Sequence, residues 1–470
     1  MNGFWELRVE AARPALVDGA SGASVTYGEL LRSADDLAAA FPGGGRKSLG
    51  FVLGRNRPAT VAAYLAALRG GAAAYLANAS LAEPLQHQLI ETYRPDWIAA
   101  TVPFAAPPGY RLAPSWLDSR EGALWVRTAP SDDAPPHDAL AIMLSTSGTT
   151  GSPKLVRLSA ANLQANAASI ASYLEIGADE RPLASLALHY SYGLSVLNSH
   201  LLAGATVVLT DASVVDRAFW TLLAEQRATS IAGVPFTYAT LHRLRFDPGT
   251  HRSLRTMTQA GGRLEPALQD HFARAATRGG ARFFVMYGQT EATARISFVP
   301  PDALPRKLGS IGRAIPGGAL SIDGDDGEIV YRGPNVMLGY ATARADLSRG
   351  DELGGTLRTG DLGRRDDEGY YFITGRLRRF VKLFGHRVNL DELEVAMAAA
   401  MGEAVACHGV DDRIVVLLES PERRPEAERL LTSRFALNPT AVRVVDGRRI
   451  PRTPTGKVDY PAILAEHLPA

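Results

Sequence analysis

The strongest constraint on the fold is a set of short apolar runs: LAIML (140–144), TVVLT (206–210), SIAGVPF (230–236) and RFFVMYG (282–288). They stand between helix-like stretches such as VVDRAFWTLLAEQ. Each run is short and lacks polar alternation, so each reads as a strand covered on both faces. Such strands, alternating with helices, make a largely parallel α/β sheet. RNRPATVAAYLAALRGG supplies one covering helix. Pro58 suits its first turn, Val61, Tyr64, Leu65 and Leu68 fall on one face, and Gly70-Gly71 stops it. AAAYLANA follows as another short apolar run, and VRTAPSDDAPPHD (126–138) reads as an exposed linker.

After about residue 300 the pattern changes. GSIGRAIPGGALSIDGDDGEIVYRGPNVMLGY is rich in Gly, Pro and Asp, with short alternating runs, and reads as antiparallel β. FVKLFGHRVNL, EAVACHGV, RIVVLLE and AVRVV then look like strands, and DELEVAMAAAM and PEAERLLTSRF like helices. The expected fold class is α/β. A large N-terminal domain (1–376) has mixed, mainly parallel sheets flanked by helices plus a small β subdomain, and a small α+β domain (377–470) follows.

Composition bounds the function. The 470 residues carry 50 Lys+Arg against 49 Asp+Glu, a net charge of +1. No field of one sign favours nucleic acid or an anionic membrane, so any anion must be recognised locally. Cys407 is the only cysteine, which excludes an intramolecular disulfide and a cysteine metal cluster, and it reads as core in AVACHGV. Charged residues Glu6, Arg8 and Glu10 stand where a signal peptide needs an apolar core. No uninterrupted apolar run approaches the roughly 18 residues of a membrane span. The expectation is a cytoplasmic protein.

STSGTTGSPK, from Ser145 to Lys154, has almost nothing to bury. A Gly/Ser/Thr loop after a buried strand turns backbone N–H and hydroxyl donors toward an anion, and Lys154 adds a point charge. Phosphate is the natural guest. The common phosphate loop is excluded, because it needs Gly, four residues and then Gly-Lys. By itself the segment also reads as a polar surface turn.

Other blocks remove that ambiguity. STSGTTGSPK, MYGQTE (286–291), RTGDLGRRDDEGYYFITGR (358–376), TPTGKVDY (453–460), AGG (260–262) and GEIVYRGPNVMLGY (327–340) occur in the order and spacing of one family. The chain resembles the adenylate-forming superfamily of acyl-CoA synthetases, nonribosomal peptide adenylation domains and firefly luciferase. The resemblance spans about residues 20 to 460. It implies two half-reactions: a carboxylate attacks the α-phosphorus of ATP to give acyl-AMP and pyrophosphate, and a thiol then takes the acyl group and releases AMP. Catalysis is then positioning and charge stabilisation.

Under that resemblance Thr146, Ser147, Gly148, Thr149, Thr150 and Gly151, with Lys154, wrap the phosphates of ATP. Thr290 bonds a phosphate oxygen, and Glu291 holds magnesium, which prefers one or two carboxylates plus phosphate oxygens. Tyr287, beside Gly288, offers a face to adenine, and Gly261 and Gly262 let backbone approach closely. Asp361 accepts from the ribose hydroxyls, and Arg376 and Arg387 match ribose and phosphate contacts. Lys457, an ammonium between attacking carboxylate and α-phosphate, lowers the repulsion of two anions where it grows. The small domain is then mobile. It pivots at Arg378, where relatives carry Asp or Lys, and Gly385 lines the thiol tunnel.

The acid pocket maps to LALHYSYGLSVLNSH (186–200) and its surroundings, with His189, Ser191, Tyr192, Phe236 and Tyr238 as wall or gate residues. Amino-acid-activating relatives place an Asp near Ser191 for the substrate ammonium, a charge that Ser191 cannot supply, which disfavours an α-amino acid. His189 also reads as a core histidine, and Arg295 either meets a second polar group of the substrate or faces solvent. The thiol, coenzyme A or the phosphopantetheine of a separate carrier protein, is expected in trans. Two alternatives stand beside the ligase: an adenylating enzyme using a non-thiol nucleophile or an unusual oxyacid, and an inactive nucleotide-binding scaffold. The presence of both Lys457 and Glu291 counts against the scaffold.

Overall fold

The computed structural model describes residues 3–42, 45–81, 83–113, 122–129, 132–145, 154–324, 327–376, 379–383, 386–410, 412–433, 435, 437–447, 449–453 and 456–467. The chain divides into two compact units, Met1–Ala319 with Tyr331–Leu357, and Leu320–Val330 with Arg358–Ala470. Residues 358–376 therefore group with the second unit, whereas the sequence reading places them in the first.

The first unit contains two large sheets. Three of the expected runs, TVVLT, SIAGVPF and RFFVMYG, supply strands of one sheet. Pro182–Ala184, Val207–Leu209, Ser230–Gly233, Thr256–Gln259 and Arg282–Tyr287 pair in parallel within a nine-stranded sheet. Ser297–Val299 adds to it antiparallel beside Arg282–Tyr287. In the eight-stranded sheet Leu140–Ser145, Ala73–Asn78, Leu49–Gly54 and Trp97–Ala100 are parallel. Leu155–Ser159 returns antiparallel beside Leu140–Ser145, and Gly339–Ala341 closes that edge antiparallel to Leu155–Ser159. The SIAGVPF strand is shorter than expected. It ends at Gly233, and Pro235, with its fixed φ and no N–H to satisfy, opens the helix Pro235–Arg243.

The helix Pro58–Arg69 differs from its one-faced reading. Residues Ala59 through Leu68 are all buried, and those from Val61 onward share one core with Leu16 and Val207 of the nine-stranded sheet and Val52 of the eight-stranded sheet. Alanines at the positions between Val61, Tyr64 and Leu65 let both sheets press against it.

The second unit has its own core. Helix Leu390–Met401 packs with the strands Val405–Val410, Arg413–Leu418 and Val442–Val445 and the helix Arg424–Ser433. Cys407 lies in that core, fully buried, and burial pushes its thiol well up, so it is a packing residue. Arg379 holds the unit together: its guanidinium pairs with Asp391, with Glu394 at 3.1 Å and with the Tyr460 hydroxyl at 2.8 Å. The Tyr460 hydroxyl donates in turn to Glu394 at 2.7 Å. A half-buried arginine with three such partners fixes orientation where a lone one would destabilise. It ties the chain just after 378 to the helix Tyr460–His467 that follows Lys457.

Candidate active site

The residues of the first unit converge where the two large sheets meet. Strand Arg282–Tyr287 leads into a 3₁₀ turn, Thr290–Ala292, that carries Glu291. Strand Gly339–Ala341 presents Tyr340, whose hydroxyl donates to Glu291 Oε1 at 2.9 Å. The register Tyr340↔Val156 brings the start of the neighbouring strand alongside, and Lys154 Nζ sits 3.2 Å from the Tyr340 ring centroid. The ammonium is attracted by the ring face and polarises the phenol, strengthening its donation to the carboxylate. Thr290 Oγ1 lies 3.3 Å from Ser191 Oγ at the start of helix Ser191–Leu202.

The turn bearing Glu291 is fixed from several sides. A Cβ on Gly288 would fall 1.8 Å from the Ala294 carbonyl oxygen, so only glycine lets the chain fold back there. Thr293 adopts φ 62°, an unfavourable backbone for a β-branched residue, and its hydroxyl donates to the Asn335 carbonyl at 2.7 Å. The Asn335 amide donates to the carbonyls of Ala292 at 2.8 Å and Arg295 at 2.9 Å. Tyr340 and Asn335 both lie in GEIVYRGPNVMLGY, yet sequence reasoning gave neither a role. Nothing in their spacing shows that they reach Glu291 and its turn.

The expected acid pocket divides into wall and core. Tyr192 and Tyr238 are buried, and both hydroxyls donate to the Thr258 carbonyl at 2.9 Å. Phe236 is 53% exposed on the helix Pro235–Arg243 and does not line the cavity described next. Gly261 has φ +83°, and a Cβ there would lie 2.4 Å from the Tyr190 hydroxyl; one on Gly262 would meet Pro235 at 3.1 Å. A cavity with about 480 Å³ of empty space, its open mouth included, lies between helices Ala160–Leu174 and Ser191–Leu202 and the nine-stranded sheet. Ile170, Leu174, Leu183, Val196 and Ile231 make its wall largely apolar, and Arg295, Glu180 and His200 also line it. A smaller pocket lined by Ser191 and Thr293 shares Ser195 with it, so the cavity lies next to the Thr290 side. Arg295 is 3% exposed, which removes the solvent-facing alternative.

His189 is half-buried and His200 buried, and burial pulls both imidazoles down to about 4. Both rings are therefore neutral near pH 7.

In the second unit Asp361 stands directly across an antiparallel pair from Arg376, and its Oδ1 accepts from Arg376 Nε at 2.8 Å. Asp361 is 2% exposed, and Gly360 before it takes φ +72°. Lys457 is exposed in a tight turn: its carbonyl accepts from Thr453 N at 2.7 Å, and Gly456 takes φ +81°. Arg387 lies in the strand His386–Asn389, opposite Lys382. Thr146, Ser147, Gly148, Thr149, Thr150 and Gly151, with Arg378 and Gly385, lie outside the described residues.

The residues suit magnesium held jointly with a substrate. Among the described residues no group of three His, Cys, Asp or Glu side chains stands ready for a metal. Glu291 offers a second carboxylate oxygen beside the one that Tyr340 engages, as expected of an ion that takes one or two carboxylates and completes its shell with phosphate and water.

Two outcomes follow. Tyr340→Phe keeps the ring under Lys154 but removes the donor to Glu291. A charge-assisted bond is worth roughly 1.5–3 kcal/mol, so nucleotide-dependent turnover should fall by about 10- to 100-fold with the fold intact, measured by steady-state kinetics against circular dichroism. The second concerns pH. Above about 6.5, the ordinary histidine value, His200 is neutral folded or unfolded. As pH falls from there toward about 4, the unfolded chain binds a proton that the folded chain refuses, so stability drops. His200→Gln should shrink that loss by up to about 3 kcal/mol, read from urea unfolding at pH 7 and pH 4.5.

Known proteins resemble this chain over most of its length. Residues 4–341 match the family described as AMP-binding enzyme. The chain is 30% identical to the indoleacetate–CoA ligase of Aromatoleum aromaticum, covering 92% of this chain and 91% of that protein. It is 30% identical to a feruloyl-CoA synthase of Amycolatopsis sp, covering 97% of each. The structure superposes on the o-succinylbenzoate CoA synthetase of Bacillus subtilis, in complex with its acyl-adenylate intermediate, with a TM-score of 0.76, 24% identity and 98% of each chain covered. The chain belongs to the AMP-binding enzyme family, within the adenylate-forming superfamily, and is an AMP-forming acid–CoA ligase.

Proposed function

We propose that this ligase activates an apolar or aromatic carboxylic acid, other than an α-amino acid, and delivers it to coenzyme A. The observation that carries the reading is the Lys154–Tyr340–Glu291 chain beside Thr290 and Ser191, next to a largely apolar cavity. Relatives named for indoleacetate and ferulate support an aromatic acid, and their names support coenzyme A as acceptor. A carrier-protein phosphopantetheine presents the same thiol and remains an outcome of the test. Use of ATP and coenzyme A supports a cytoplasmic site of action.

In the first half-reaction the acid's carboxylate oxygen bonds to the α-phosphorus of ATP, and the bond to the bridging oxygen breaks, releasing pyrophosphate. Magnesium would neutralise phosphate charge at Glu291. Tyr340 keeps that carboxylate pointed at the site, while Lys154 adds positive charge beside it. The hydroxyl loop from Thr146 to Thr150 grips the phosphates, and Thr290 bonds one of their oxygens. Lys457, on its exposed turn in the second unit, screens the two anions as they meet. In the second half-reaction the thiol sulfur bonds to the acyl carbon, AMP leaves and the thiol proton passes to solvent. We assign the change between the two halves to movement of residues 377–470 about Arg378, with Asp361 and Arg376 on the ribose and Gly385 beside the thiol.

Pyrophosphate exchange into ATP should depend on both magnesium and an aryl or fatty acid. Lys457→Ala should slow adenylate formation by at least about 100-fold while still converting supplied acyl-AMP to thioester. If no acid of either class supports exchange by folded protein, the proposal is wrong.

A further inference from the structure

Arg295 carries a charge that no carboxylate of the described residues balances. It is 3% exposed and lines the apolar cavity. Its Nε is buried without a hydrogen-bond partner, and no carboxylate lies within ion-pair distance of its guanidinium among the described residues. Its support comes from two neutral tyrosines: the guanidinium carbon sits 3.9 Å from the Tyr192 ring centroid, and the Tyr173 hydroxyl lies within hydrogen-bonding reach of the guanidinium. Burial pushes the Tyr173 hydroxyl up to about 12 against the pull of this same guanidinium. The cavity's one carboxylate is already engaged, since Glu180 accepts from the Thr229 hydroxyl and pairs with Arg255 at 3.4 Å. A buried guanidinium normally has an anionic partner, because its desolvation is otherwise unrecovered. An aromatic face recovers only part of that.

We infer that Arg295 is a specificity residue that pairs with a second anionic group at the far end of the acid, a carboxylate or sulfonate, while the apolar wall holds the middle. This rests on the ligase reading and names the substrate class for its site. The guanidinium fork suits a planar carboxylate in two-point contact. Tyr192, fixed through its own bonds to Thr258, holds the guanidinium plane in place.

The test compares matched acids differing only at the distal end: heptanoate with heptanedioate, and 3-phenylpropionate with 3-(4-carboxyphenyl)propionate. The readout is kcat/KM for acid-dependent pyrophosphate release. The wild-type chain should favour the distal anion by at least about tenfold in one series. Arg295→Met should bring that ratio to near one, and Arg295→Lys should restore part of it. A wild-type ratio near or below one in both series overturns the pairing, and needs no variant to fold. A ratio unchanged in folded Arg295→Met overturns it too, leaving Arg295 a stacking partner of Tyr192. Absence of activity with every acid is a different result, one that removes the ligase reading beneath it.

Discussion

One hydrogen bond holds the candidate site in register: the Tyr340 hydroxyl on the Glu291 carboxylate, 2.9 Å long. Its two residues belong to different sheets, Tyr340 to the edge of the eight-stranded sheet and Glu291 to the turn that follows a strand of the nine-stranded sheet. Around it the backbone repeats the link, for Met337 N donates to the Glu291 carbonyl at 2.9 Å and Asn335 fastens the turn beyond. Arg157, fully buried on the adjoining strand, bonds the Tyr340 carbonyl at 3.1 Å and pairs with Glu352. Under the function proposed above, this carboxylate meets a metal–phosphate complex, which calls for a position fixed beforehand, and these bonds fix it from both sheets.

Positive charge acts locally. The chain as a whole is almost neutral, at +1, so the handling of anions depends on individual groups. Lys154 lies over an aromatic ring at the edge of the site, Lys457 stands exposed in a turn, and Arg295 is buried against Tyr192. Under the function proposed above, these three settings suit three tasks. A supported ammonium can bind an anion without moving, an exposed one can be brought in and withdrawn, and a buried guanidinium can select among ligands by what it lacks. Neutral His189 and His200 add no competing charge at pH 7.

Much of the fold was legible because both-face burial leaves a plain signature. LAIML, TVVLT and RFFVMYG are strands where they were expected, and the helices DELEVAMAAAM and PEAERLLTSRF lie where their periodicity puts them. Less legible were features set by packing from a distance. Ala59 to Leu68 is buried all round because a second sheet covers the face that one-sided periodicity left to solvent. SIAGVPF hid a strand-to-helix change at Pro235. In the site, Glu291 and Lys154 stood out by motif, but Tyr340 did not, because its role depends on a strand pairing with Val156 that lies 184 positions away in the chain (340 − 156). Arg295 was ambiguous in sequence because exposure alone separates its two readings, and exposure is a property of the folded chain.

The most direct test of the Tyr340–Glu291 link is a double-mutant cycle on single-turnover adenylate formation, using Tyr340→Phe, Glu291→Gln and the pair, at saturating acid and magnesium. If the phenol acts by holding that carboxylate, its removal should cost less than about threefold once Glu291 is neutral, a coupling of at least about 0.7 kcal/mol. Equal losses from Tyr340→Phe with and without the carboxylate would show that the two act independently and would contradict the role given to this bond.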